Sequence, residues 1–181
     1  PDEVKELTNP ITIIQKSINN GIYFVNNNYT ILPNMPVGTN SIEFTLKTDG
    51  TTYSNDWGRK IIGPSSAIST YTNGIGIAGG NYNEISWVNS DGTKRVDFVE
   101  KGNYKNQTIR IKLENTNTGS NIYKNDILIS TASSKFDFNS WAIGCTDANR
   151  YSTGVTIENL TYNYQEGNVL GEAPDNQLNL S

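Results

Sequence analysis

The chain has 181 residues and a net charge of −4 at pH 7, with 35% hydrophobic residues and no histidine. This length suits one well-buried domain rather than two. The basic residues are scattered, with Lys94-Arg95 as the main local pair, so the sequence lacks the concentrated positive footprint of nucleic-acid binding. It also lacks the ~20-residue apolar run needed for membrane insertion.

The missing histidine also narrows the possible chemistry. It excludes Ser-His-Asp and Cys-His catalysis and most zinc sites. Cys145 is the single cysteine, so it forms no internal disulfide, and its setting in WAIGC predicts a buried, inert thiol. The nearest pair of carboxylates on one strand, Asp97 and Glu100, falls on opposite faces. The sequence therefore predicts a protein that is not an enzyme.

The first 20 residues differ from the rest and are predicted as a lead-in segment. Pro10 argues against one continuous helix there, and the Ile-rich residues 11–14 are predicted as an edge strand. Residues 22–25 and 29–32 follow as two strands separated by three asparagines, which predicts a hairpin with a three-residue turn.

The clearest strand of the first half covers residues 41–48. Ile42, Phe44 and Leu46 alternate there with polar residues, as in a half-buried strand. Residues 51–83 are irregular, with strand-like pieces at 60–62 and 74–78. Residues 84–88 and 94–99 are predicted as a hairpin around a turn at 90–92.

Residues 107–164 repeat one pattern of strands and tight turns. Ile109, Ile111 and Leu113 alternate with charged residues in the first strand. A short polar turn at 124–126 then joins residues 122–123 to 127–129 as a hairpin. Strands at 141–144 and 154–162 close the run, after a glycine-containing corner.

This order resembles the C-terminal half of concanavalin A-like lectin and laminin G-like domains, and the resemblance covers about residues 30–164. It implies an all-β fold, a two-sheet antiparallel sandwich of the jelly-roll type. Galectin-like heads of viral spikes share this architecture. Glucanases of the same superfamily carry three carboxylates at E-x-D-x-x-E or E-x-D-x-E spacing, and no stretch of this sequence has that spacing.

The resemblance implies a non-catalytic glycan-binding domain at residues 21–165, followed by a polar tail or linker at 166–181. Its partners would be glycans of a cell surface or a polysaccharide. It would belong to a larger multidomain or multimeric protein, extracellular or at a cell or virion surface. Two alternatives stay open: the attachment head of a virus or phage, and a structural or protein-binding spacer of a bacterial surface protein. A spacer should lack an exposed aromatic cluster beside amides.

Sugar recognition needs an exposed aromatic face for the C–H side of a pyranose, and amides or acids for its hydroxyls. Trp57 lies in a polar loop, where it either binds sugar or covers one end of the sandwich, whereas Trp87 and Trp141 are predicted in the core. The alternative role for each candidate residue in a loop is to stabilise an ordinary turn. Binding residues, however, concentrate in the connections between strands. The candidate ligand-binding residues are Tyr53, Asn55, Asp56, Trp57, Arg59, Tyr71, Asn81, Tyr82, Asn83, Arg150 and Tyr151.

Two finer possibilities concern charge and metal. A guanidinium fork at Arg59 or Arg150 matches the carboxylate of an acidic sugar such as sialic acid. Calcium binds oxygen ligands in some branches of the superfamily. Asp147 and Asn149 have the spacing of two such ligands, which Asp56 or Asp91 would supplement.

Overall fold

The computed structural model describes residues 12–17, 21–25, 29–54, 58–147 and 152–166. These residues contain thirteen strands and one turn of 3-10 helix at Ser65–Ala67. In chain order the strands are β1 (Thr12–Ser17), β2 (Ile22–Val25), β3 (Tyr29–Ile31), β4 (Thr39–Thr48), β5 (Arg59–Pro64), β6 (Gly74–Ala78), β7 (Glu84–Val88), β8 (Lys94–Val99), β9 (Thr108–Asn115), β10 (Ser120–Lys124), β11 (Ile127–Ala132), β12 (Trp141–Gly144) and β13 (Val155–Glu166).

The strands form two antiparallel sheets that pack as a sandwich, as the sequence predicts. One sheet has seven strands in the order β1-β13-β4-β9-β10-β11, and β2 also pairs with β13, beyond the end of β1. The other has six strands in the order β3-β12-β5-β6-β7-β8. Within the described ranges, no helix is long and apolar enough to cross a membrane.

The core lies between the sheets and confirms the predicted inward faces. Six alternating residues of β4 and β9 are almost fully buried. Trp87, Trp141 and Cys145 are buried too, as their apolar neighbours in sequence indicate. The predicted inward residues of these two strands are Ile42, Phe44, Leu46, Ile109, Ile111 and Leu113.

The β10–β11 hairpin has the predicted tight turn. Asn125 and Asp126 both adopt positive φ, 49° and 69°, as the two-residue turns that match the strand twist require. The Asn125 side chain also accepts a hydrogen bond from the backbone N–H of Arg110, at 2.8 Å. This contact fixes the turn against β9.

The predicted hairpin at residues 22–32 is wrong. β2 pairs with β13 in the seven-stranded sheet, whereas β3 pairs with β12 in the six-stranded sheet. β2 and β3 therefore belong to different sheets and do not pair with each other. The pairing of these two strands is decided by β12 and β13, which come much later in the chain. A local turn pattern carries no information about such distant partners.

We expect Ile111→Ala to lower the free energy of unfolding by about 2–5 kcal/mol, because it leaves a cavity beside fully buried neighbours. Ile127→Ala is the matched control, since Ile127 is 67% exposed and its truncation should cost below about 0.5 kcal/mol. Urea denaturation of both variants measures the difference. Equal losses in the two variants would contradict the assigned inward face.

Candidate functional site

A groove of about 420 Å³ lies on the outer face of the six-stranded sheet, over β6, β7 and the start of β8. Its wall contains two tyrosines, and its interior contains an acid, a hydroxyl and an ammonium group. The lining residues are Gly58, Tyr71, Gly76, Ile77, Ala78, Tyr82, Glu84, Ser86, Val88, Gly92 and Lys94.

Strand register explains why this part of the sheet is hollow. Ala78 lies opposite Glu84, and Gly76 lies opposite Ser86, in the antiparallel β6–β7 pair. Alternation turns these four residues outward, while Ile85 on β7 faces the core. Ala78 carries only a methyl group, so the Glu84 side chain opposite it borders open space, whereas a Cβ at Gly76 would lie 3.0 Å from Arg59 O.

Residues 65–73 cover the neighbouring part of the same sheet face and are held there by Lys60. The Lys60 ammonium donates hydrogen bonds to the backbone oxygens of Thr72, Asn73 and Ala67, at 2.6, 3.1 and 3.3 Å. Its side chain is only 1% exposed, and burial lowers the pKa of Lys60 to about 8. Lys60 therefore fixes the carbonyl of Thr72, the residue that follows Tyr71 in the groove wall.

Tyr71 packs between two glycines that leave room for its ring. A Cβ atom at Gly58 would lie 2.9 Å from Tyr71 Cδ2, closer than side chains approach one another. A Cβ at Gly92 would lie 3.9 Å from the Tyr71 hydroxyl, and Gly92 has a φ of +87° that suits glycine at this turn. The absence of side chains at Gly58 and Gly92 therefore leaves the space in which the Tyr71 ring forms one wall of the groove.

Tyr82 forms the other aromatic part of the groove and is 51% exposed. Its backbone N–H donates to Gly79 O at 3.0 Å, within a tight turn. The neighbouring Gly80 N–H donates to Tyr53 O at 3.1 Å, so the loop that precedes β5 meets the loop that precedes β7.

Three charged groups form a connected cluster at the groove. Lys94 Nζ lies 3.2 Å from Glu84 Oε2 and 3.1 Å from Asp97 Oδ1. Burial disfavours the ammonium, but the hydrogen bonds and charges of Asp97 and Glu84 outweigh that effect and raise the pKa of Lys94. Glu84 is 13% exposed, so its carboxylate is held in one place beside the opening.

Of the candidate residues from the sequence, Tyr71 and Tyr82 line the groove. Asn81 and Asn83 flank Tyr82 in the chain but lie outside the lining, and Asn83 has a positive φ of 49° and accepts a hydrogen bond from Gly102 N–H through its backbone oxygen. Five other candidates lie outside the described residues: Asn55, Asp56, Trp57, Arg150 and Tyr151.

Tyr53 and Arg59 correct the expectation of exposed ligand-binding side chains. They are only 7% and 8% exposed, and the Arg59 guanidinium carbon lies 4.8 Å from the centre of the Tyr53 ring. The Tyr53 hydroxyl donates to Thr153 O, and burial raises the pKa of Tyr53 to about 12. The two side chains stabilise the base of the loop, so Arg59 does not offer an open fork to an acidic sugar.

The sequence did not single out Glu84, Ser86 or Lys94, because all three belong to predicted strands rather than loops. Their outward direction follows from alternation, but their place in one groove depends on the pairing of β6 with β7 and of β7 with β8. The small residues Gly76 and Ala78, opposite Ser86 and Glu84, were the one local signal that this face of the sheet is unusual.

Of the proposed calcium ligands, Asp91 and Asp147 lie within the described residues. Asp91 accepts hydrogen bonds from the backbone and hydroxyl of Thr93, at 2.9 and 2.6 Å, as in an ordinary turn. No group of three or more Cys, Asp or Glu suited to a metal ion occurs in the ranges described above. Asn149 and Asp56 lie outside those ranges.

Solved structures share this sandwich at low sequence identity. Botulinum neurotoxin type C, described as interacting with two ganglioside molecules, is 16% identical with a TM-score of 0.51, over 93% of this chain and 46% of that one. The receptor binding domain of botulinum neurotoxin mosaic serotype C/D is 10% identical with a TM-score of 0.50, over 91% and 45%. Trypanosoma rangeli sialidase is 10% identical with a TM-score of 0.50, over 85% and 27%.

These likenesses show the fold, and this chain spans less than half the length of each neighbour. No protein-family model and no curated protein matches the sequence.

Proposed function

We propose that this domain binds glycans without covalent chemistry, and that the sugar occupies the groove on the outer face of the six-stranded sheet. The observation that carries the proposal is the pairing of an exposed aromatic face with fixed polar groups. Tyr82 offers its ring for the apolar side of a pyranose, while Glu84 offers its carboxylate oxygens to the hydroxyls.

The groove suits a sugar in size and in chemistry. About 420 Å³ falls within the range of small-molecule sites in proteins. A structural spacer has no need of a hollow lined by tyrosines and a fixed carboxylate, which favours recognition over the spacer alternative. The sequence supports binding without turnover, because it has neither histidine nor the carboxylate spacing of the related glucanases.

The neighbours support the same class of function for the whole protein. One interacts with ganglioside molecules and another is a receptor binding domain, and this chain shares their sandwich. We therefore propose a recognition domain of a larger extracellular or surface protein. A single site of this kind should bind weakly, with a dissociation constant of about 0.1–1 mM, so that attachment relies on several copies.

We expect Tyr82→Ala to weaken glycan binding by about 2- to 13-fold, because it removes one stacking face worth roughly 0.5–1.5 kcal/mol. A glycan array on the isolated domain selects the ligand, and NMR titration measures the change in dissociation constant. Tyr29→Ala is the matched control, since Tyr29 is also an exposed tyrosine but lies on β3, the far edge of the same sheet. Unchanged binding by Tyr82→Ala, or an equal loss in both variants, would contradict the proposed site.

A further inference from the structure

The groove carries more negative than positive charge. Among its lining residues only Glu84 and Lys94 carry charge, and Asp97 lies against Lys94 from the adjacent part of β8. Two carboxylates thus share one ammonium, which leaves a net charge of −1 for these three side chains. The Lys94 charge is therefore already compensated before any ligand arrives.

The nearby arginines face other parts of the molecule. The Arg59 guanidinium is buried over the Tyr53 ring. Arg95 follows Lys94 on β8, and its guanidinium donates to Ser130 Oγ and Ser120 Oγ at 2.9 and 2.8 Å, across to the seven-stranded sheet. Neither residue lines the groove, so neither adds positive charge where a ligand would bind.

We propose that the groove selects neutral glycans over acidic ones, with Glu84 as the residue that determines this preference. The inference rests on the proposed function. Glu84 Oε2 is held by Lys94 and accepts hydrogen bonds from sugar hydroxyls, which are stronger for an ionised acceptor than for a neutral one. A sugar carboxylate meets like charge at the same position.

Neutral and acidic sugars differ in the charges that they bring to Glu84, Lys94 and Asp97. A neutral pyranose donates its hydroxyl protons to Glu84 and leaves the ion pairs with Lys94 intact. An acidic sugar that reaches the third N–H of Lys94 must bring a third carboxylate into a cluster that already holds Glu84 and Asp97. Like charges at such short range repel even in a water-like medium.

Matched pairs of neutral, galactose-terminated oligosaccharides and their sialylated forms test this preference. We expect the neutral member to bind about 3- to 10-fold more tightly at low ionic strength. Added salt should narrow the difference, because it screens charges at an open surface. Glu84→Gln removes the negative charge and keeps one acceptor oxygen, so it should reduce the preference to below about twofold.

Glu158→Gln is the matched control, because Glu158 pairs with Lys47 on the opposite sheet and should leave the preference unchanged. Tighter or equal binding of the sialylated member, with Tyr82→Ala still weakening both, would overturn the selectivity while the proposed function stands. No binding of either member at the groove would overturn both proposals. A preference that Glu84→Gln leaves intact would overturn the role of Glu84.

Discussion

Between pH 8 and pH 10.5 we expect Lys60 to raise the free energy of unfolding by at most about 3 kcal/mol. The physical cause is burial of its ammonium beneath residues 65–73, which lowers the pKa of Lys60 from 10.5 to about 8. Its three carbonyl acceptors favour the charged form, so the full shift sets an upper value.

The sign of this pH dependence follows from the number of protons bound by the folded and the unfolded state. The unfolded chain keeps the Lys60 proton up to about pH 10.5, whereas the folded domain loses it near pH 8. The unfolded state therefore binds more protons in this window, and rising pH favours folding. Tyr53 acts in the opposite direction from pH 10 to 12, because the folded state keeps its phenol proton longer. The combined contribution of these two groups to stability is therefore largest near pH 10.

Urea denaturation across this pH range measures both effects. Lys60→Met should remove the rise between pH 8 and pH 10.5, and Tyr53→Phe should remove the fall above pH 10. Lys47→Met is the control for a lysine that is 44% exposed and paired with Glu158, and it should keep the parent profile. A rise of equal size in Lys60→Met and in the parent would show that Lys60 titrates normally.

The sandwich was predictable because its signal is local. Strands such as β4 and β9 bury one face and expose the other, so alternation of Phe44 or Ile111 with polar neighbours identifies them directly. The β2–β3 error has the opposite origin. Three asparagines do favour a turn, but the partner of each strand lies more than one hundred residues away, and a local pattern does not contain that pairing.

Only the loop residues of the candidate site could be predicted from the sequence. Tyr71 and Tyr82 stood out as aromatics among turn residues, and both line the groove. Tyr53 and Arg59 shared that polar setting, yet each shields the other from water through ring and guanidinium contact. Glu84 and Lys94 were missed because two strand registers bring them together, and residues in strands carry no local mark of a ligand.

The groove itself is tested most directly by filling it. Ala78 lines the groove on β6, opposite Glu84, and its small side chain points outward. A tryptophan at this position would occupy the space that the sugar needs and cover the Glu84 carboxylate. Thr45→Trp adds the same side chain to the outer face of the seven-stranded sheet, where Thr45 lies opposite Arg110. The two variants thus differ in location and share the added bulk.

The deciding measurement is NMR titration of the parent, Ala78→Trp and Thr45→Trp with the array-selected glycan, after each spectrum has shown a folded domain. We expect Ala78→Trp to lose at least about tenfold in affinity, which is 1.4 kcal/mol or more, and Thr45→Trp to bind like the parent. If folded Ala78→Trp binds the glycan as tightly as the parent does, the groove on the six-stranded sheet is not the binding site.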